Sequence, residues 1–172
     1  LAAAIFHETN QRRVAGQRPP LRWSAHAASA ARWQAEVMAR EKFVDHENPV
    51  NPDLRTLPDR VRRAGIQFRF AAENVALAFG LRYESGREFF TDKGPRGRLE
   101  FRYTAKGPPI AMHTPLSFAE ALLNQWMESP GHRENILHRD PSHLGCHAAP
   151  ALNEMQMPVL YAAQVFVTPR AG

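Results

Sequence analysis

The stretch Val159-Leu160-Tyr161-Ala162-Ala163-Gln164-Val165-Phe166-Val167 is largely apolar and lacks the in-and-out alternation of a half-exposed strand. It is predicted to be a central strand buried on both faces. Just upstream, Leu144 to Ala148 reads as a second strand. The first part of the chain is helical in pattern. A helix is expected from Ala2 to about Val14, with Ile5, Phe6 and Thr9 on one side, Arg12 and Arg13 on the other, and Gly16 as its stop. Pro19-Pro20 prevents its continuation. A second helix starts after Ser24, whose hydroxyl can cap it, and runs to about Lys42 with Ala30, Trp33, Val37 and Met38 on a buried stripe. Asn48-Pro49 and Asn51-Pro52 mark a loop. A short helix follows, with Thr56 as cap, Asp59 three residues on and Gly65 beyond its end. Helices come first and the clear strands late, which makes the fold class α+β rather than a run of alternating βαβ units.

Between these halves the character changes. From Phe68 to Leu81 the chain is largely apolar, with Arg69 at its start and Glu73 as its one acidic residue. Residues 82–116 then gather glycines and prolines, with seven basic against four acidic side chains. Only Leu99-Glu100-Phe101-Arg102-Tyr103 alternates there, like half of a hairpin. This segment is read as a long surface excursion from one domain spanning 1–172. Ser117-Phe118-Ala119-Glu120 reads as a capping box opening a helix that carries Leu122, Leu123, Trp126 and Met127. Ser129-Pro130 reads as cap and first-turn proline of another helix through Leu137.

Composition sets the outer bounds. The 172 residues are 44% hydrophobic and 23% charged, near the average for globular domains, which argues against disorder or a fibrous repeat. No stretch approaches the roughly 20 apolar residues of a membrane-spanning helix, and no basic-then-apolar leader opens the sequence. The formal charge of +5 is too diffuse to point to nucleic acid. Cys146 is the sole cysteine, so no intramolecular disulfide can form, and it is expected to be a buried apolar residue.

Several kinds of chemistry are excluded. There is no Gly-x-Ser-x-Gly elbow and no phosphate-cradling loop ending in Lys-Ser or Lys-Thr. His46-Glu47 and His7-Glu8 lack the second histidine of a zinc-protease helix. His132 and His138 would sit about 240° apart around a helix, too far to chelate one ion from one face. Cys146 and His147 would point to opposite faces of a strand. Four residues then stand where a polar group needs an explanation: His46 in the loop after the second helix, Glu73 within the apolar run, and Glu128 and His132 around Ser129-Pro130-Gly131. An isolated carboxylate in an apolar run is expensive to bury without a partner. Imidazole and carboxylate together suit zinc and other divalent first-row metals, a proton-sharing polar cluster, or a catalytic acid and base. Spacing alone does not choose among them.

One segment is distinctive. Trp126-Met127-Glu128-Ser129-Pro130-Gly131-His132-Arg133-Glu134-Asn135-Ile136-Leu137 resembles the signature stretch of bacterial CAP-domain (SCP-like) proteins. That superfamily takes in cysteine-rich secretory proteins, insect venom allergens and plant pathogenesis-related proteins. Other matches follow in order along the chain. They are Asn10, Arg13 and Gly16 with Pro20-Leu21-Arg22-Trp23, then Phe43-Val44-Asp45-His46, then Arg60 with Ala64-Gly65. Ala72-Glu73-Asn74-Val75-Ala76 is similar to the family's Gly-Glu-Asn motif, with alanine in place of glycine, and Leu144-Gly145 and Tyr161–Val167 resemble its last strands. The resemblance implies an α–β–α sandwich, with a central antiparallel sheet between helical layers. It also implies a cleft bearing His46, Glu73, Glu128 and His132 as a set able to bind a divalent metal, zinc first. The disulfides of eukaryotic relatives are absent, and the 82–116 excursion is longer than the usual connection. His113, His138, His143 and His147 match nothing in the family pattern and are expected to be solvated or capping residues.

The resemblance further implies a secreted or cell-envelope, monomeric, non-enzymatic binding module. Its cleft would take a lipid, peptide or cell-wall ligand, with no organic cofactor. An alternative is a metal-dependent or acid–base hydrolase, peptidase-like, with Glu73 or Glu128 as the catalytic carboxylate. A third reading makes the four residues structural and gives residues 82–116 to a partner.

Overall fold

The structure is a computed structural model that describes residues 1–170. The last two residues of the expected 1–172 domain lie outside the described residues. In chain order the elements are α1 (Ala2–Ala15), β1 (Arg22–Trp23), α2 (Ala25–Glu41), α3 (Leu57–Arg63), β2 (Phe68–Phe79), β3 (Phe90–Lys93), β4 (Leu99–Arg102), α4 (Pro115–Glu128), α5 (Pro130–Leu137), β5 (His143–Leu152) and β6 (Pro158–Pro169). The main sheet has the order β1-β5-β6-β2. β6 lies between β5 and β2, antiparallel to both, which is why its sequence is apolar throughout. The expected antiparallel sheet therefore has one departure: β1 is added parallel to β5 through Arg22 and Trp23.

The two faces of the sheet are covered by different helices. On one face α2 and α3 bury Ala27, Ala31, Met38 and Val61 against Val75, Ala163, Val165 and Val167. On the other α1, α4 and α5 bury Ile5, Leu122, Trp126 and Ile136 against Ala76, Ala162 and Phe166. This is the α–β–α sandwich, and the alternation of a strand sends neighbouring residues of β2 to opposite layers. α2 lies so close to β5 that a Cβ on Gly145 would overlap the backbone of Ala27 and Ala28, so only glycine fits there. Ala72 pairs with Phe166 in regular register, so the alanine leaves the strand undistorted.

Two local expectations change. The α4 cap is Thr114, not Ser117. Thr114 Oγ1 accepts from Ser117 N at 3.2 Å, Ser117 Oγ accepts from Thr114 N at 3.0 Å, and Pro115 supplies the first-turn dihedral. Arg13 lies on the buried side of α1 with Ile5 and Thr9. Its Nη1 donates to Ile136 O at 2.7 Å and His138 O at 2.9 Å, so carbonyls at the end of α5 solvate the guanidinium. The 82–116 excursion is closed at its base by Leu81 bridging to Met112 and by His113 N donating to Gly80 O. Within it β3 and β4 form the hairpin, and Phe101 packs with Leu81, Ile110 and Met157 in a small apolar cluster of its own.

Candidate functional site

The site begins with Glu73 on β2, which faces the α2/α3 layer. An ionised carboxylate there needs a partner, and α3 supplies one. That helix is fixed by a reciprocal cap, with Thr56 Oγ1 accepting from Asp59 N and Asp59 Oδ2 accepting from Thr56 N. Its Arg60 side chain is 0% exposed and that of Glu73 is 1% exposed. Arg60 Nη2 lies 2.8 Å from both Glu73 oxygens. The guanidinium also donates to three loop carbonyls: Nη1 to Leu54 O and Arg55 O, both at 3.1 Å, and Nη2 to His46 O at 3.0 Å. Arg60 Nε is buried without a partner. Such a pair is weak evidence for net stability, but removing one member strands a buried charge.

His46 stands on this pair. Its Nδ1 donates to Glu73 Oε1 at 3.0 Å, with the ring 56% exposed. A carboxylate at Nδ1 fixes the tautomer and leaves Nε2 as the outward-facing atom. The hydrogen bond to Glu73 raises the His46 pKa above the ordinary imidazole value, against a weaker opposing effect of burial. The loop is held on both sides of His46: Gln34 Nε2, from α2, donates to Asp45 O at 2.6 Å and Glu47 O at 3.3 Å. Asn48 Oδ1 closes the next turn by accepting from Val50 N and Asn51 N.

His132 comes from the opposite layer, in the first turn of α5, and is half-buried. Its pKa is lowered, first by desolvation and then by the positive potential of His46. A buried amide chain sets its position. Asn135 Nδ2 donates to Asn74 Oδ1 at 2.9 Å and to Glu73 O at 3.2 Å, while Asn74 Nδ2 donates to His132 O at 3.1 Å. From Asn74 the chain continues to Gln164 Oε1 at 3.2 Å, to Thr9 Oγ1 at 2.5 Å and to Ile5 O at 2.6 Å. Glu128 is exposed at the end of α4, and among the described residues it makes no side-chain hydrogen bond or ion pair.

The four residues singled out in the sequence thus stand differently. His46 and Glu73 are bonded, His132 shares their field, and Glu128 is apart from the bonded cluster. Among the described residues no three His, Cys, Asp or Glu donors are gathered as a metal site. A shared divalent ion does not fit the arrangement, because Glu73 is already engaged by Arg60 and His46. Arg60 and Gln34 are the members missed by sequence reasoning. Arg60 stood inside a matched segment without a role, and one signal was available: a buried Glu73 demands a buried cation. Two of the unmatched histidines have local roles. His113 Nδ1 lies 3.0 Å from Ser117 Oγ at the α4 start, and His138 stacks on Phe70 at 4.6 Å. Cys146 is buried, its thiol pKa pushed up by desolvation.

The sequence model of the CAP family, described as the cysteine-rich secretory protein family, matches residues 6–166. The chain belongs to the CAP family. Among curated protein sequences, none matches. Solved structures agree on the CAP fold. An extracellular SCP-domain protein of Bacillus anthracis superposes with a TM-score of 0.62 at 23% identity, over 96% of this chain and 39% of that one. An outer surface protein of Borrelia burgdorferi gives 0.60 at 13% identity, over 96% and 90%. A cysteine-rich secretory protein of Staphylococcus aureus gives 0.53 at 14% identity, over 96% and 37%. The chain therefore spans about two fifths of the length of the Bacillus protein. Among the described residues, no helix of this CAP domain is long and apolar enough to cross a membrane.

Proposed function

We propose that this CAP domain is an extracellular or cell-envelope binding module whose cleft presents His46 and His132 above the buried Glu73–Arg60 pair. The observation that carries this reading is the engagement of Glu73. Its carboxylate is withdrawn from solvent and used to orient His46, so the site offers imidazole edges to a ligand. The extracellular placement is supported by the family and by the described locations of the Bacillus and Borrelia proteins. A lipid, peptide or cell-wall fragment is the ligand class proposed. The test compares small molecules retained by the purified domain and by His46→Ala/His132→Ala, using native mass spectrometry. Retention in the first and loss in the second supports the reading, and equal retention removes the cleft from it.

A second reading, an acid–base hydrolase, is favoured by the His46–Glu73 hydrogen bond. An imidazole whose Nδ1 is held by a buried carboxylate is arranged as a general base through Nε2. Turnover of peptide or ester substrates that disappears in His46→Ala, with the fold intact, would select it over binding alone.

A further inference from the structure

We infer that Arg60 is a resident cation that takes the place of a divalent metal at Glu73, so that the carboxylate itself holds no metal ion. The inference deepens the binding reading and concerns the same site. Three features carry it. The first is the direction of the His46 ring. Nδ1 faces Glu73 at 3.0 Å, so the remaining donor, Nε2, lies across the ring from the carboxylate. One ion cannot be shared by Nε2 and Glu73 while that bond is made. The second is charge. Arg60 and Glu73 are both fully buried and in contact at 2.8 Å, so a divalent ion at Glu73 would stand beside an uncompensated guanidinium.

The third is restraint. Arg60 cannot swing away cheaply, because the same guanidinium satisfies the carbonyls of His46, Leu54 and Arg55. Withdrawing it would take the donor from three part-buried carbonyls and release the loop that carries His46. The cation is therefore covalently part of the chain and also shapes the site, two jobs that a metal ion would otherwise combine.

Cobalt(II) titration of the chelator-treated domain, followed by visible absorption, tests this. The unaltered domain is expected to show no saturable uptake at equimolar cobalt that depends on the Glu73 carboxylate. Arg60→Met is expected to tighten cobalt binding by about tenfold or more, through the carboxylate it frees, with the gain abolished by adding Glu73→Gln. Stoichiometric uptake by the unaltered domain that falls in both His46→Gln and Glu73→Gln would overturn the inference. So would a folded Arg60→Met that gains no affinity. If Arg60→Met does not fold, the titration of the unaltered domain still decides. Metal uptake there would leave the binding reading standing, since that reading is tested by ligand loss in His46→Ala/His132→Ala.

Discussion

Glu73 and Asn74 are neighbours on β2, yet they anchor two polar systems built on opposite principles. On the α2/α3 side, Glu73 is part of an ionic cluster whose inner end is sealed by Arg60 and whose outer end, His46, reaches solvent. On the α1/α4/α5 side, Asn74 joins neutral amides and a hydroxyl, from Asn135 through Gln164 to Thr9. A neutral chain can be buried whole because each group needs only a hydrogen-bond partner. A charged cluster also needs its charge balanced, and it is the one that carries an exposed imidazole tip. The two meet at α5, which the amide chain docks onto β2 at Asn74 and Glu73.

The largest expected effect breaks the ionic side. Arg60→Leu strands the buried carboxylate and should cost about 3–5 kcal/mol, read as a lower urea midpoint. Arg60→Leu/Glu73→Leu should recover most of that loss, because no buried charge is left alone. A double variant as unstable as the single one would mean that the carbonyl clamp, not charge balance, dominates. The amide side should be more forgiving. Asn74→Ala is expected to cost about 1–3 kcal/mol, leaving Asn135 and Gln164 each short of a partner. If it proved costlier than Arg60→Leu, the ranking of the two systems would be reversed.

The smallest effect is pH dependence at the exposed tip, where the two histidines act in opposite senses. The folded His46 pKa is raised by its bond to Glu73. Its stabilising contribution is therefore full below the unfolded value of about 6.5 and is lost as pH rises through the higher folded value. The folded His132 pKa is lowered, so its protonation opposes folding as pH falls from about 6.5 through that lower value. His46→Gln should abolish the first dependence and let the His132 pKa rise part of the way back, since desolvation remains. Proton NMR of the imidazole Cε1–H resonances, with urea melts across the same pH range, checks both. His132 titrating above His46 in the unaltered domain would contradict the arrangement.

The legible parts of the fold share a physical reason. Ser24 and Thr56 announce their helices because a cap is a local bond within four residues, and β6 announces its central place because burial on both faces leaves no polar alternation. Where local signals compete, the reading slips. Both Thr114 and Ser117 can cap a helix, and the proline at 115 sides with Thr114. Arg13 looks solvated from its own helix, and the carbonyls at the end of α5, more than a hundred residues on, join that of Pro19 in making its burial tolerable.

The candidate site follows the same division. Residue type and order, together with resemblance to a family, were enough to single out His46, Glu73 and His132, because polar groups in apolar runs and at helix junctions demand a reason. They also singled out Glu128, which the fold leaves exposed. Residue type could not say whether Glu73 would meet a metal, a histidine or an arginine, since all three satisfy a carboxylate. That choice belongs to the tertiary structure, which brings α3 against β2 and spends the carboxylate on Arg60 before any ligand arrives. Sequence fixes which groups need a partner. Packing over long separations decides which partner comes close enough to exclude the rest.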